Sequence, residues 1–305
     1  MSTLYQKLPQ AIPQPFGYGT LDIKCLQASF YLSEFIEFDE RASLDPDLVG
    51  KTIALLHKAN FRPDMDRFGA DIPTWDGVFE QTVEWQPSWA KCFGKMLKHH
   101  FDCDRLTNGP WDEFSDYMCR TQEIVIPRLL GPLEGNGNRI TPCFIHGDLW
   151  EGNFGIEKES GRLFIFDANG YFAHHEMELG MWRVEHHEMN NPKYRDEYLK
   201  NMGASTPASQ FDDRNRLYSV KYSLAFSFHH PGNSARHKTS GTVFGVTHRL
   251  IRRNNMSVAV FGHPRSSGLD QFVHLGLIII CTVGWVETGS LHIRDHDTCH
   301  DTLGI

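Results

Sequence analysis

Cys143-Phe144-Ile145-His146-Gly147-Asp148-Leu149-Trp150-Glu151-Gly152-Asn153, followed by Phe154-Gly155-Ile156, a polar turn and Leu163-Phe164-Ile165-Phe166-Asp167, is the stretch that decides how this chain is read. Two short apolar runs separated by Lys158-Glu159-Ser160-Gly161-Arg162 have the pattern of a β-hairpin. With Glu157 and Leu163 flanking that five-residue turn, Ile156 faces Phe164, Phe154 faces Phe166, and Asn153 faces Asp167. Directly opposed residues lie ~4.5–5.5 Å apart. Two oxygen-bearing side chains at that separation can share one Mg²⁺, whose oxygen ligands sit at ~2.0–2.1 Å. Asp and Asn also favour ordinary turns. What separates this loop from a plain turn is the convergence of Asp148, Asn153 and Asp167, with Gly147 and Gly152 giving the backbone freedom.

Phosphoryl transfer needs a carboxylate near the attacking hydroxyl and oxygen ligands for the magnesium that neutralises the phosphates. In protein kinases an aspartate serves the first need, and an asparagine five residues on helps with the second. Asp148 and Asn153 have that spacing.

Composition narrows the function classes. The 305 residues are 40% hydrophobic and 12% aromatic, enough to fill a core. With 38 acidic against 30 basic residues, a formal charge of -8 and no long basic run, the chain does not suit general nucleic-acid binding. Seven scattered cysteines without a Cys-x-x-Cys pair suggest reduced thiols in a cytoplasmic protein. Met1 to Gly19 has no stretch like a signal peptide. The one apolar run, Val273 to Val286, is shorter than the ~20 residues of a membrane span, so no membrane partner is expected.

Outward from the central stretch, Ile12 to Gly19 reads as turn-rich, and Ser29 to Phe38 as a short strand running into a connector. Asp45-Pro46 opens a helix with Leu48, Ile53, Leu55 and Leu56 as its apolar stripe. Trp85–Phe101 and Trp111–Leu130 read as amphipathic helices, Thr141–Ile145 as a strand, and Tyr194–Met202 and Arg214–Phe228 as further helices. From about Thr239 the periodicity fades, and nine of the 17 histidines lie between His229 and His300. His292, His296 and His300 recur every fourth residue beside Asp295, Asp297 and Cys299, a spacing that could line up metal ligands. A polar tail explains the same pattern.

His146-Gly147-Asp148-Leu149-Trp150-x-Gly152-Asn153 resembles the catalytic loop of the fructosamine (ketosamine) 3-kinases, relatives of the aminoglycoside phosphotransferases and choline kinases. The resemblance continues through His174-His175-Glu176-Met177-Glu178-Leu179. Upstream it takes in Phe68-Gly69, Thr74, Gly77, Gln81, Trp85 and Trp89, and late in the chain Pro231-Gly232-Asn233. It covers roughly Ile12 to Asn233 and implies an α+β, protein-kinase-like fold whose mainly helical large lobe carries the catalytic hairpin. The activity implied is ATP-dependent phosphorylation of the 3-hydroxyl of ketosamines, on small amines or glycated proteins, with Mg²⁺. On that resemblance Asp148 is the base, Asn153 and Asp167 hold the metal, and Glu34, Phe35 and Ile36 form the hinge that meets adenine. His146 and Glu178 support the loop, and Trp150 is a wall for the sugar or a core aromatic.

The family's Gly-rich loop and ATP lysine belong before the hinge, where Gly17-x-Gly19, Lys7 and Lys24 do not supply them. The chain therefore reads as 1–38, a truncated small lobe and hinge; 39–238, the large lobe; and 239–305, an atypical tail open to a disordered reading. A weakly active kinase is the expectation. A kinase-like binding protein without turnover, or a kinase for another hydroxylated amine, is the alternative.

Overall fold

Leu4, Leu8, Ala11 and Ile12, set three to four residues apart or adjacent, are 0–6% exposed and join the common core. They belong to helix α1 (Ser2–Lys7) and the turn after it. The computed structural model describes residues 1–23, 26–135, 137–232 and 234–252. The stretch read as turn-rich becomes β1 (Pro15–Ile23), paired antiparallel with β2 (Leu26–Ser33). Gly17 marks a register irregularity, and Gly19 faces Phe30, whose ring covers the space a side chain would fill. Glycine suggests a turn when read alone, but a cross-strand aromatic lets it sit inside a strand.

Helix α2 (Pro46–Asn60) begins as its sequence dictates: the Asp45 carboxylate accepts from Asp47 N at 3.1 Å, and Pro46 has no N–H to leave unpaired. Strands β3 (Thr74–Asp76) and β4 (Phe79–Gln81) form a small hairpin. Helix α3 runs Trp89–Asn108 rather than from Trp85, because Pro87 keeps its predecessor extended and Ser88 caps the first turn. Trp85 instead donates its indole N–H to Asp71 at 2.8 Å. Helices α4 (Asp112–Arg120) and α5 (Ile126–Glu134) are joined by a single π-turn, Thr121–Val125. Pro127, just inside α5, has no N–H for the carbonyl four residues back, and the π-turn absorbs that gap.

Strands β5 (Cys143–Phe144), β6 (Phe154–Ile156), β7 (Leu163–Ile165) and β8 (Phe172–Ala173) make two nested antiparallel pairs, β6 with β7 and β5 with β8. The loop 145–153 is thus pinned at both ends, as is the loop 166–171. The β6–β7 register differs from the one expected: Ile156 pairs with Leu163, Gly155 with Phe164, and Phe154 with Ile165. Turn chemistry decides this. Gly161 takes φ +70 and donates its N–H to Glu157 O at 2.8 Å, closing a four-residue loop with Glu157 opposite Arg162. A slip of one residue exchanges every facing pair. Asn153 O consequently accepts from Phe166 N at 3.2 Å, and Asp167 lies one step beyond the pairing.

Helices α6 (Pro192–Met202) and α7 (Phe211–His229) follow, α6 against α2 and α7 against α3 and the 3₁₀ segment His175–Arg183. A further helix, α8 (Ala235–Arg252), packs on α7 and α4 and crosses the boundary placed at 238/239. Its buried positions include Thr239, Ser240, Val243 and Thr247, mostly small and polar, so no apolar period shows in the sequence. The His292–His300 set and the Val273–Val286 run lie outside the described residues. Within them no helix is long and apolar enough to cross a membrane, and Cys92, Cys103, Cys119 and Cys143 are free thiols.

Candidate active site

Gly147 and Glu178 set the shape of the 145–153 loop. Gly147 adopts φ +86, and a Cβ there would meet Asn169 O at 2.4 Å, so a larger residue is excluded twice over. The Glu178 carboxylate, fully buried, accepts from His146 N at 2.6 Å and Gly147 N at 2.9 Å. Burial pushes the Glu178 carboxyl up, but His57, His146 and the Gly147 N–H more than offset this and hold it below the ordinary range. His146 links this loop to the next: its Nε2–H donates to Phe166 O at 2.9 Å, and its Nδ1 accepts from Asp148 N at 3.3 Å. Those partners select one neutral tautomer, which burial favours.

Asp148 and Asn153 meet directly. Asn153, 4% exposed, donates from Nδ2 to Asp148 O at 2.7 Å and to Asp148 Oδ2 at 3.1 Å. Its Oδ1 is thereby turned away as an acceptor with no donor among the described residues. Burial, then the charges of Asp76 and Asp167, push the Asp148 carboxyl up to about 6, against the pull of Lys221 and Asn153. Asp167 is exposed and is the one non-glycine residue with positive φ, +61, among the described residues. Strain of that kind persists where surrounding structure imposes it, and functional sites are where it gathers. The corrected register leaves Asn153 and Asp167 in adjacent, non-opposed positions.

The segment proposed as hinge follows β2. Glu34 N donates to Gln14 O at 2.8 Å, Phe35 is 74% exposed, and Ile36 is buried. No described residue bonds the backbone N–H of Phe35 or Ile36. Phe38 then stacks on Phe166 at 5.3 Å, which ties this segment to the residue before Asp167. Trp150 is 38% exposed, with its ring over Gly152 and 5.9 Å from His187, so it is a surface aromatic of the loop and not a core one.

A cluster of four residues around Asp76, of which Asp76 and Lys221 act on Asp148, was not singled out from sequence. Lys221 Nζ, on α7 and 1% exposed, donates to Asp76 Oδ2 at 2.8 Å, and His100 Nε2 and His229 Nε2 lie 3.5 and 3.4 Å from the same carboxylate. Burial pushes the Asp76 carboxyl up, yet the Lys221 ammonium holds it well below its usual range. The only sequence signal was a lysine between Val220 and Tyr222 in an otherwise core-facing helix.

His174, His175 and Glu176 also converge, but their ligand atoms are taken. Tyr218, Tyr198 and Ser205 bond the two imidazoles, and Arg214 grips Glu176. This cluster is structural and sets a pH limit. Burial holds His100, His174 and His175 below the ordinary imidazole range. A depressed folded value gives stability that is complete above the unfolded pKa, ~6.5, and fades as pH falls. Thermal stability is therefore expected to fall below about pH 6.5, by up to about 1.4 kcal/mol per pH unit for each imidazole protonated on unfolding. Asp148, raised to about 6, opposes this only in part. An unchanged Tm down to about pH 5 would show that these rings are not buried neutral.

A family model described as fructosamine kinase matches residues 1–241 of the chain. The chloroplastic protein-ribulosamine 3-kinase of Arabidopsis thaliana is 27% identical over 182 residues, 59% of this chain and 52% of that protein. This chain spans about half the length of the first curated relatives it matches. The crystal structure of a protein described as a fructosamine-3-kinase from Haemophilus somnus aligns with a TM-score of 0.59 at 19% identity, covering 80% of this chain and 76% of that one. A thermostable mutant of an aminoglycoside phosphotransferase aligns with a TM-score of 0.50 at 14% identity, covering 84% and 83%. At such identities the structures speak for the fold, which is kinase-like and α+β.

Proposed function

Because the chain belongs to the fructosamine kinase family, we propose that it transfers the γ-phosphoryl group of ATP to the 3-hydroxyl of a ketosamine, carried on a small amine or a glycated protein. The observation that carries this reading is the Asp148–Asn153 pair, bonded to each other in a loop pinned at both ends, with the exposed Asp167 one residue past the Phe166–Asn153 hydrogen bond. The donor set suits a hard cation: every group it offers is oxygen, and Asn153 presents its Oδ1 because Nδ2 is engaged. Magnesium-ATP, when bound, supplies the transferable group and neutralises its charge. Asn153 and Asp167 are the residues to hold that metal, and the backbone of Glu34, Phe35 and Ile36 is where adenine would be met.

The other residues act on the acceptor. Asp148 accepts the proton of the attacking hydroxyl; its value of about 6 keeps it mostly ionised at neutral pH yet basic enough to take that proton. Glu178, reaching His146 N and Gly147 N, stops the loop from moving away from the acceptor. Trp150, half-open to solvent, offers an apolar wall against which a sugar ring or chain can lie.

A radiolabel panel tests the assignment. Fructosamine, ribulosamine and glycated lysine should accept phosphate in preference to choline or an aminoglycoside. Transfer to choline alone would overturn the reading.

A further inference from the structure

The Asp76–Lys221 ion pair takes one fully buried and one largely buried charge out of water. Burying two charges is costly, and a well-packed apolar pair is often as stable or more so. Here the pair forms between the tip of the β3–β4 hairpin and the middle of α7, 145 positions apart in sequence. Lys221 also sits over the Tyr222 ring at 4.5 Å, and both charges of the pair act on Asp148 in the loop 145–153. Of the charged groups near Asp148, Asp76 acts on its carboxyl most strongly, then Lys221, with Asp167 after both. The pair is also open on one side, Asp76 being 20% and His229 23% exposed.

His100 shows what is missing there. Its Nδ1 lies 2.9 Å from Met96 O, which can only accept, so Nδ1 carries the proton. The ring is 1% exposed and burial keeps it neutral, which leaves Nε2 a bare acceptor. That acceptor faces another, Asp76 Oδ2, at 3.5 Å, and makes no hydrogen bond. Two acceptors side by side call for a donor between them. A hydroxyl supplies one, and its own oxygen can in turn accept from an ammonium such as that of Lys221.

We propose that Asp76, Lys221 and His100 form the specificity-determining subsite for the hydroxyl-bearing chain of the acceptor, a polyol site beside the phosphoryl-transfer centre. The inference rests on the ketosamine reading. Neighbouring hydroxyls of the sugar donate to Asp76 and His100 Nε2 and accept from Lys221, and this holds the reactive hydroxyl at Asp148. His229 borders the open side.

The test measures KM and kcat for fructosamine, and KM for ATP, in the full chain. The paired variant Asp76→Leu with Lys221→Met removes both charges together and is expected to keep or raise Tm. Its KM for fructosamine should rise about 10–100-fold, the worth of hydrogen bonds to charged groups, with KM for ATP unmoved. His100→Phe, which leaves the ion pair intact, should also raise KM for fructosamine and gives the same reading if the paired variant does not fold. An acceptor with the same amine but a shorter polyol chain should lose affinity for the parent chain and not for the paired variant. A parent chain active on fructosamine whose KM is unchanged by both variants would overturn the subsite alone. A parent chain that neither binds nor phosphorylates fructosamine would overturn the ketosamine reading and the subsite together.

Discussion

Replacing Asp148 with asparagine is expected to lower kcat for ketosamine phosphorylation by about 10²–10⁴-fold, the usual worth of a positioned general base. The amide keeps the shape of the side chain and can still accept from Asn153 Nδ2, which now reaches Asp148 O and Oδ2 at 2.7 and 3.1 Å. It cannot take the hydroxyl proton. Stability should move the other way. A carboxyl raised to about 6 in the fold favours its neutral form, so its stabilising effect is present below the unfolded value of ~3.9 and is lost as pH rises through about 6. At neutral pH the ionised carboxylate is thus a burden on the fold, and D148N should melt at or above the temperature of the parent chain. Kinetics and thermal denaturation on the same samples check both halves. A variant with parental kcat would remove Asp148 from the role of base.

Asp167→Ala should abolish magnesium-dependent nucleotide binding, because it takes away a carboxylate that no described side chain engages by hydrogen bond and that faces solvent. Backbone geometry complicates alanine here, since φ is +61 and a Cβ without a polar head is disfavoured in that region. Asp167→Gly separates the two effects. Glycine accepts this φ freely, so the variant should be as stable as the parent chain or more so, while still losing the metal ligand. Calorimetric titration with ATP, with and without magnesium, reads the difference. Equal magnesium dependence in the parent chain and the glycine variant would place the metal elsewhere. Asp148→Asn, by contrast, should leave nucleotide affinity largely intact, and that contrast distinguishes base from ligand.

Both predictions concern residues legible in the chain before any fold was known. Asp148 and Asn153 are five positions apart in one short loop, so their proximity is a local matter. The helix starts at Asp45-Pro46 and Ser88 were written in capping chemistry that acts over three or four residues. Local rules also misled. The β6–β7 register followed from a turn length, and the left-handed conformation of Gly161 shortened that turn by one residue. Gly17 and Gly19 looked like turn residues until Phe30 was found opposite Gly19.

The sequence by itself determined the loop that holds Asp148 and Asn153, and its motifs' resemblance to a known family implied the kinase-like fold. The loop depends on spacing within one short segment, which a chain carries however it is arranged. Tertiary structure alone decided the surroundings of the loop. Glu178 reaches His146 from 32 positions away, and Asp76 meets Lys221 across 145. The burial that neutralises His100 and raises Asp148 depends on helices packing around them. Desolvation and charge pairing are properties of distance in space, and a sequence contains no term for that distance until the core closes.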